Sequence, residues 1–420
     1  MFQGIKALRE LNWNPLPVLP ETIDYVLLTH GHLDHCGWLP RLVREGFRGK
    51  IYCTAPTKEI ARLIIIDSAK IQEEEAEAAN KGKFSRHLIA EPLYTTLEAE
   101  RVLPFFRVAK AHERVSLDAE IEARFLPAGH ILGACSIELT LENKTLLFSG
   151  DIGRDNDVLM YPPERPQQAD FIFLESTYGN RHHPEIDALT ELEAYITSAI
   201  DRGGTVIIPG FAVERAQTVM HLLYQLRQQD RLPDVPCILD SPMGVDVLQI
   251  FSDYPSWHKL NPHQCAEMAR MFTLITDYQD TIATVYNDAP KIIIAASGMI
   301  TGGRVLTYLE RYIGRPETSV ILVGYQAEGT RGRKLLEGAE EIKIHGKYYA
   351  VKATVLEVKG MSAHGDQQDL LNWLSSLKQP PRRVFLVHGD NIPADELRTR
   401  IADRFGYAVN IPMLGQKYIL

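Results

Sequence analysis

Residues 23–35 read Ile-Asp-Tyr-Val-Leu-Leu-Thr-His-Gly-His-Leu-Asp-His, an apolar run that feeds directly into four side chains able to ligate a metal. The run Ile23–Thr29 has the length and branching of a buried strand, and the stretch from Trp38 to Glu45, stopped at Gly46, has that of a helix. In an extended chain, residues two apart point the same way, so His30 and His32 reach one position. Asp34 and His35 lie at the turn into the helix and are rotated toward a second. Chance yields H-x-H-x-D-H in roughly one chain of this length in a thousand, which makes a helix cap with incidental histidines the weaker reading.

Around this motif lie 420 residues with 45 Lys plus Arg against 54 Asp plus Glu, a net charge of −9. That length allows two or three domains, each with its own core. A composition of 45% hydrophobic and 24% charged residues excludes a disordered, collagenous or membrane-spanning chain. With no signal-like apolar segment between Met1 and Asn12, a cytoplasmic enzyme is expected. Cys36, Cys53, Cys135, Cys237 and Cys265 contain no C-x-x-C pair, so they read as small buried hydrophobes rather than disulfides or thiolate ligands.

Further strands are predicted at Lys50–Thr54, Ile121–Leu126, Ser136–Leu141, Thr145–Ser149 and Phe171–Leu174. A helix is predicted over Thr57–Ile71, with the acidic stretch Gln72–Glu77 as its solvated continuation. After about Thr190 the pattern changes. Thr205–Pro209, Cys237–Asp240, Lys291–Ala296 and Ser319–Gly324 are apolar runs separated by helix-length segments, which implies crossovers and a parallel sheet. Beyond Glu341 come alternating β pattern, a helix (Asp366–Leu377), a strand (Val384–Val387) and a final helix near Ala394–Phe405.

His130, Asp151, Glu175 and His388 each follow or end an apolar strand, the place where α/β folds gather site residues. Taken singly, His130 and His388 read as structural histidines and Asp151 as a turn residue before Gly153. Beside the first motif their reading inverts. His30 and His32 supply two of the four positions of a tetrahedral N/O site, and His130 can complete a three-histidine set. Asp34, His35 and His388 can form another, with the two oxygens of Asp151 bridging. Such ligation suits zinc best, with manganese or iron as alternatives.

These residues resemble the metallo-β-lactamase superfamily, and specifically its β-CASP branch of nucleases. H-x-H-x-D-H, His130 and the Asp151 of Ser-Gly-Asp match the superfamily. LESTYG with Glu175, SAHGD with His364 and VHGD with His388 match the three additional β-CASP motifs. GTVIIPGFAVERAQ from Gly204, LDSPMG from Leu239, AASGMITGGR from Ala295 and GYQAEGTRGR from Gly324 are similar to the inserted domain of bacterial and archaeal relatives of the cleavage and polyadenylation specificity factor endonuclease.

The resemblance implies an α/β fold class: an αββα metallo-β-lactamase domain (1–180 and 360–420) interrupted by an α/β β-CASP domain (181–359) with a mainly parallel sheet, and substrate held in the cleft between them. It also implies a ribonuclease using two Zn²⁺, endonucleolytic with 5′-exonuclease action as a second mode. Asp151 is expected to take part in catalysis, His364 to be the general acid and Glu175 to be its hydrogen-bond partner. His388, where the DNA-repair branch carries Val, favours RNA over DNA. In the family a β-hairpin ending in Asp-x-Gly precedes the stretch that here reads Met1–Gly4, so first strands and a supporting aspartate are expected to be missing.

A net charge of −9 is unusual for an RNA enzyme, where cations supply much of the affinity. Met299–Glu337, however, concentrates Arg304, Arg311, Arg315, Arg331, Arg333 and Lys334 against four glutamates. Arg304, Arg331 and Arg333 are the candidate RNA contacts, with solvated arginines as the bland alternative. Tyr178, Phe211 and Tyr325 can stack on bases or belong to the core. RNA is the expected partner, with no membrane and with a homodimer left open. Competing readings are a non-catalytic RNA-processing scaffold, a DNA nuclease, and an ester or thioester hydrolase on the same fold.

Overall fold

The computed structural model describes residues 1–2, 6–82, 89–184 and 187–420. The chain divides into two compact units, Met1–His182 with His364–Leu420 and, between them in sequence, His183–Ala363.

In the first unit, β1 (Tyr25–Leu27), β2 (Lys50–Cys53) and β3 (Phe106–Val108) pair in parallel. The following β4 (Arg114–Ser116), β5 (Ile121–Pro127), β6 (Cys135–Leu141) and β7 (Lys144–Phe148) form an antiparallel meander. Glu142 and Asn143 join β6 to β7 with φ of 47° and 58°, the twist that suits a two-residue hairpin. β8 (Phe171–Glu175) then adds in parallel beside β7.

The second unit contains β9 (Thr205–Pro209), β10 (Cys237–Asp240), β11 (Phe272–Ile275), β12 (Lys291–Ala295), β13 (Ser319–Leu322), the hairpin β14 (Glu341–Ile344) and β15 (Lys347–Ala350), and β16 (Thr354–Glu357). Six of these form a parallel sheet in the order β11-β10-β12-β9-β13-β16. Back in the first unit, β17 (Arg383–Val387) and β18 (Val409–Asn410) complete a seven-stranded sheet, β18-β17-β8-β7-β6-β5-β4.

Helices cover both sheets of the first unit. Ala61, Ile65 and Ala69 of the helix Ala55–Gly82 pack with Ile51, Cys53 and Phe106 of the small sheet. Leu370, Leu371 and Leu374 of Gln367–Leu374, with Leu397 and Ile401 of Asn391–Phe405, cover Ile172, Leu174, Val384 and Leu386. Each buried Leu, Ile, Val or Phe among these contributes about 1.5–3 kcal/mol of transfer free energy, which helps hold the strand ends bearing the polar residues in place. All five cysteines are buried and free.

Two readings change. The acidic stretch Gln72–Glu77 does continue the helix, but Glu73 is not merely solvated: its carboxylate accepts from the Thr96 backbone N–H (3.1 Å) and hydroxyl (2.5 Å). The strand Phe272–Ile275 went unpredicted because it is a four-residue sheet edge with two exposed residues, leaving no long apolar run to read.

Candidate active site

Strand ends of the first unit deliver the site. His30 follows β1, His130 follows β5, Asp151 follows β7, Glu175 ends β8 and His388 follows β17. The turn that presents Asp151 depends on Gly150, at φ 57°, where a Cβ would lie 2.8 Å from that of Thr29.

His30 Nε2 and His130 Nε2 each lie 3.2 Å from His32 Nδ1, and both lie 3.5 Å from Asp151 Oδ2. A tetrahedron with metal–nitrogen arms of about 2.0–2.1 Å has edges of about 3.3 Å, so these four atoms already stand at ligand spacing. A second set shares the aspartate. His35 Nε2 and His388 Nε2 are each 3.3 Å from Asp151 Oδ1, and 3.6 and 3.7 Å from Asp34 Oδ2. His35 Nε2 and Asp151 Oδ1 are buried without a hydrogen-bond partner, the state of donor atoms that face a cation. The residues therefore fit divalent metal: His30, His32, His130 and Asp151 could hold an ion in the first set, and Asp34, His35 and His388, beside the other Asp151 oxygen, could ligate in the second.

Supporting contacts fix these rings. The Thr29 hydroxyl lies 3.2 Å from His30 Nδ1, leaving Nε2 for the site. His388 has φ 50°, and the Thr177 hydroxyl donates to its carbonyl at 2.9 Å, holding this strained backbone in place.

Electrostatics follow from burial and charge. Burial, then His35, drives the His30 imidazole well below its ordinary range, and burial takes His32 down to about 4. Asp151 is held well below the carboxylate range because His388, His35 and His30 outweigh its burial. Burial also opposes charge on His388, but Asp151, with Asp34 and Glu175, pushes it up to about 10.

His364 sits beside both sets. Its Nδ1 is 3.1 Å from Glu175 Oε2 and its Nε2 is 3.9 Å from Asp151 Oδ2. Glu175 is fully buried, and Oε1 also accepts from the Ile152 N–H at 2.6 Å. Burial lowers the affinity of His364 for a proton, yet Glu175 and then Asp151 raise it by more.

Models of three protein families match this chain: the metallo-beta-lactamase superfamily at residues 14–210, the Beta-Casp domain at 216–335, and the Zn-dependent metallo-hydrolase RNA specificity domain at 348–412. Ribonuclease TTHA0252 of Thermus thermophilus is 33% identical, over 99% of this chain and 92% of its own length. The chain belongs to the metallo-β-lactamase superfamily, in its β-CASP branch. An RNase J-like protein of Methanocaldococcus jannaschii is 30% identical over 88% of this chain and 82% of its own. Transcription termination factor FttA of Pyrococcus horikoshii is 30% identical over 93% of this chain, which spans only 60% of that longer relative. A crystal structure of a protein of unknown function from Enterococcus faecalis V583 shares the fold, with a TM-score of 0.53 at 12% identity over 94% of this chain and 81% of that one.

This β-CASP protein thus has the αββα domain interrupted by an inserted α/β domain, and its family binds divalent metal. The three candidate arginines are engaged within the protein. Arg304 donates to Asp240 Oδ1 at 2.5 Å and to the carbonyls of Ile275 and Thr276, Arg331 to the carbonyls of Lys343, Ile300 and Thr301, and Arg333 to Glu337. Sequence reasoning missed Thr29 and Thr177, whose hydroxyls carry no motif beyond adjacency to the histidine and glutamate motifs. No helix among the described residues is long and apolar enough to cross a membrane.

A proton on His388 occupies charge space that an ion must take. Zinc uptake at pH 7 is expected to release about one proton from this residue, and affinity for that ion should rise about tenfold per pH unit between pH 6 and 8. Calorimetric titrations in buffers of different ionisation enthalpy read this directly, and identical heats in both would remove His388 from the titrating ligands.

Proposed function

We propose that this chain is a zinc-dependent ribonuclease that hydrolyses RNA phosphodiester bonds endonucleolytically, the observation that carries the reading being two adjacent N/O ligand sets, the first at tetrahedral spacing, that share Asp151 beside His364. The ribonuclease and RNase J-like names of its relatives support RNA as substrate. When bound, a pair of divalent ions supplies a water nucleophile at neutral pH and stabilises negative charge on phosphoryl oxygens.

The protein's own groups do the rest. Asp151 directs one oxygen into each set and supplies the buried negative charge that both need. His364, protonated through its contact with Glu175, presents Nε2 to the same space and gives its proton to the departing 3′ oxygen. Glu175 is a positioning residue: with carboxylate oxygen Oε1 fixed by the Ile152 N–H, it accepts at Oε2 from His364 Nδ1–H and leaves Nε2–H as the donor. The products carry a 5′-phosphate and a 3′-hydroxyl.

Elemental analysis beside a cleavage assay tests this. Purified chain should carry about two zinc ions, cleave a labelled single-stranded RNA internally, and lose that activity to a chelator. Fully loaded protein that leaves RNA intact would overturn the assignment.

A further inference from the structure

We infer that the second unit holds a nucleobase-stacking site of its own at the carboxyl ends of β9, β12 and β13, with Phe211 and Tyr325 as its aromatic platform. The inference rests on RNA being the substrate, as proposed above.

Topology places a crevice there. From β9 the chain crosses β12 to reach β10, whereas from β12 it crosses β9 in the opposite direction to reach β13. Right-handed crossovers in opposite directions put the two connecting helices, Arg215–Gln228 and Val305–Tyr312, on opposite faces of the sheet. The loops leaving the adjacent strands β9 and β12 therefore part, which is where open α/β sheets bind ligands.

The crevice is floored by glycine. A Cβ on Gly298 would stand 2.6–3.0 Å from three ring carbons of Phe211, so this ring rests directly on glycine backbone. A Cβ on Gly324 would lie 3.7 Å from both Phe211 Cε2 and Arg215 Nε. That Nε is buried and has no hydrogen-bond partner, although Nη2 of the same guanidinium lies 3.4 Å from Glu214 Oε2, so one N–H of a buried, ion-paired arginine is left at the edge of the platform. Phe211 nevertheless stays 39% exposed, and Tyr325, the residue after Gly324, 50% exposed. Both rings are half-buried, and each keeps enough exposed surface to offer a π-face to a base.

The platform is also preorganised. Gln326, buried, donates from Nε2 to the carbonyls of both Gly298 (3.1 Å) and Gly324 (3.0 Å), fixing the spacing of the two loops. Arg331 grips the same β12 loop through the carbonyls of Ile300 and Thr301, and the Ser297 hydroxyl accepts from the N–H groups of Thr301 and Gly302. A loop held at so many points by groups that touch no ligand loses little freedom when a base arrives.

The test uses the full chain, with a 12-nucleotide oligoadenylate and an abasic strand of equal length as probes and binding read by fluorescence anisotropy. Phe211→Ala and Tyr325→Ala should each weaken oligoadenylate binding by about 5–100-fold, the worth of one stacked base. Abasic-strand affinity and the salt slope should stay unchanged, because no phosphate contact is removed. Tyr325→Phe, which keeps the ring, should restore binding. Equal losses on both strands, or none on either, would overturn the site; if Phe211→Ala misfolds by its melting curve, the exposed Tyr325 pair decides alone. Wild-type chain that binds oligoadenylate through these rings but cleaves no RNA would refute the ribonuclease reading and leave the site standing. Cleaving chain whose variants bind like wild type would do the reverse.

Discussion

Asp151→Asn should leave purification with far less than two equivalents of zinc and should lose RNA cleavage by at least about 10²-fold. The side chain is 2% exposed, and its two oxygens face separate histidine pairs, Oδ2 toward His30 and His130 and Oδ1 toward His35 and His388. An amide keeps one oxygen only. Whichever way it turns, an NH₂ group that cannot ligate replaces an oxygen in one set, and the negative charge both sets share is gone. The loss should therefore exceed the about 10–100-fold in metal affinity that removal of a merely supporting group costs. Zinc per chain by elemental analysis and single-turnover cleavage read the two effects separately. A variant with two retained ions and wild-type turnover would take Asp151 out of the site.

Much of this was readable because the first motif is contiguous. His30, His32, Asp34 and His35 declare their chemistry within six residues, and a strand-to-turn geometry sorts them into the two groups seen here. His130, Asp151 and His388 are distant in sequence, but each follows an apolar run that had to be a strand, and strands in one sheet bring their ends together. The family and the α/β architecture followed from the same segments.

What stayed illegible depends on partners rather than on residue type. Nothing in the local sequence of Arg304 points to Asp240, 64 positions away, and the partners of Arg331 are backbone carbonyls, which every residue has. An arginine-rich segment looks identical whether its guanidinium groups face a phosphate or lock a loop. Phe211 and Tyr325 were ambiguous for the same reason: an aromatic residue after a buried strand is core or surface according to what stands opposite, and opposite Phe211 stands Gly298.

His364 and His388 would look alike in an activity screen, and the geometry separates them. His364 commits Nδ1 to Glu175 and has Nε2 3.9 Å from a single Asp151 oxygen, whereas His388 Nε2 faces two carboxylates, Asp151 at 3.3 Å and Asp34 at 3.7 Å. His364→Ala should therefore keep both zinc ions and bind RNA like wild type while its rate falls by about 10²–10⁴-fold, the usual worth of a positioned acid. A substrate whose leaving group needs no proton should recover much of that loss. Glu175→Gln, which keeps the shape but removes the charge that holds the His364 proton, should shift the acid-dependent limb of the rate profile to lower pH, because a proton released more readily is lost at lower pH. His388→Ala should instead deplete the ion held with Asp34 and His35, and added zinc should restore part of its activity. Loss of metal from the His364 variant, or full metal in the His388 variant, would show that the two histidines have exchanged roles.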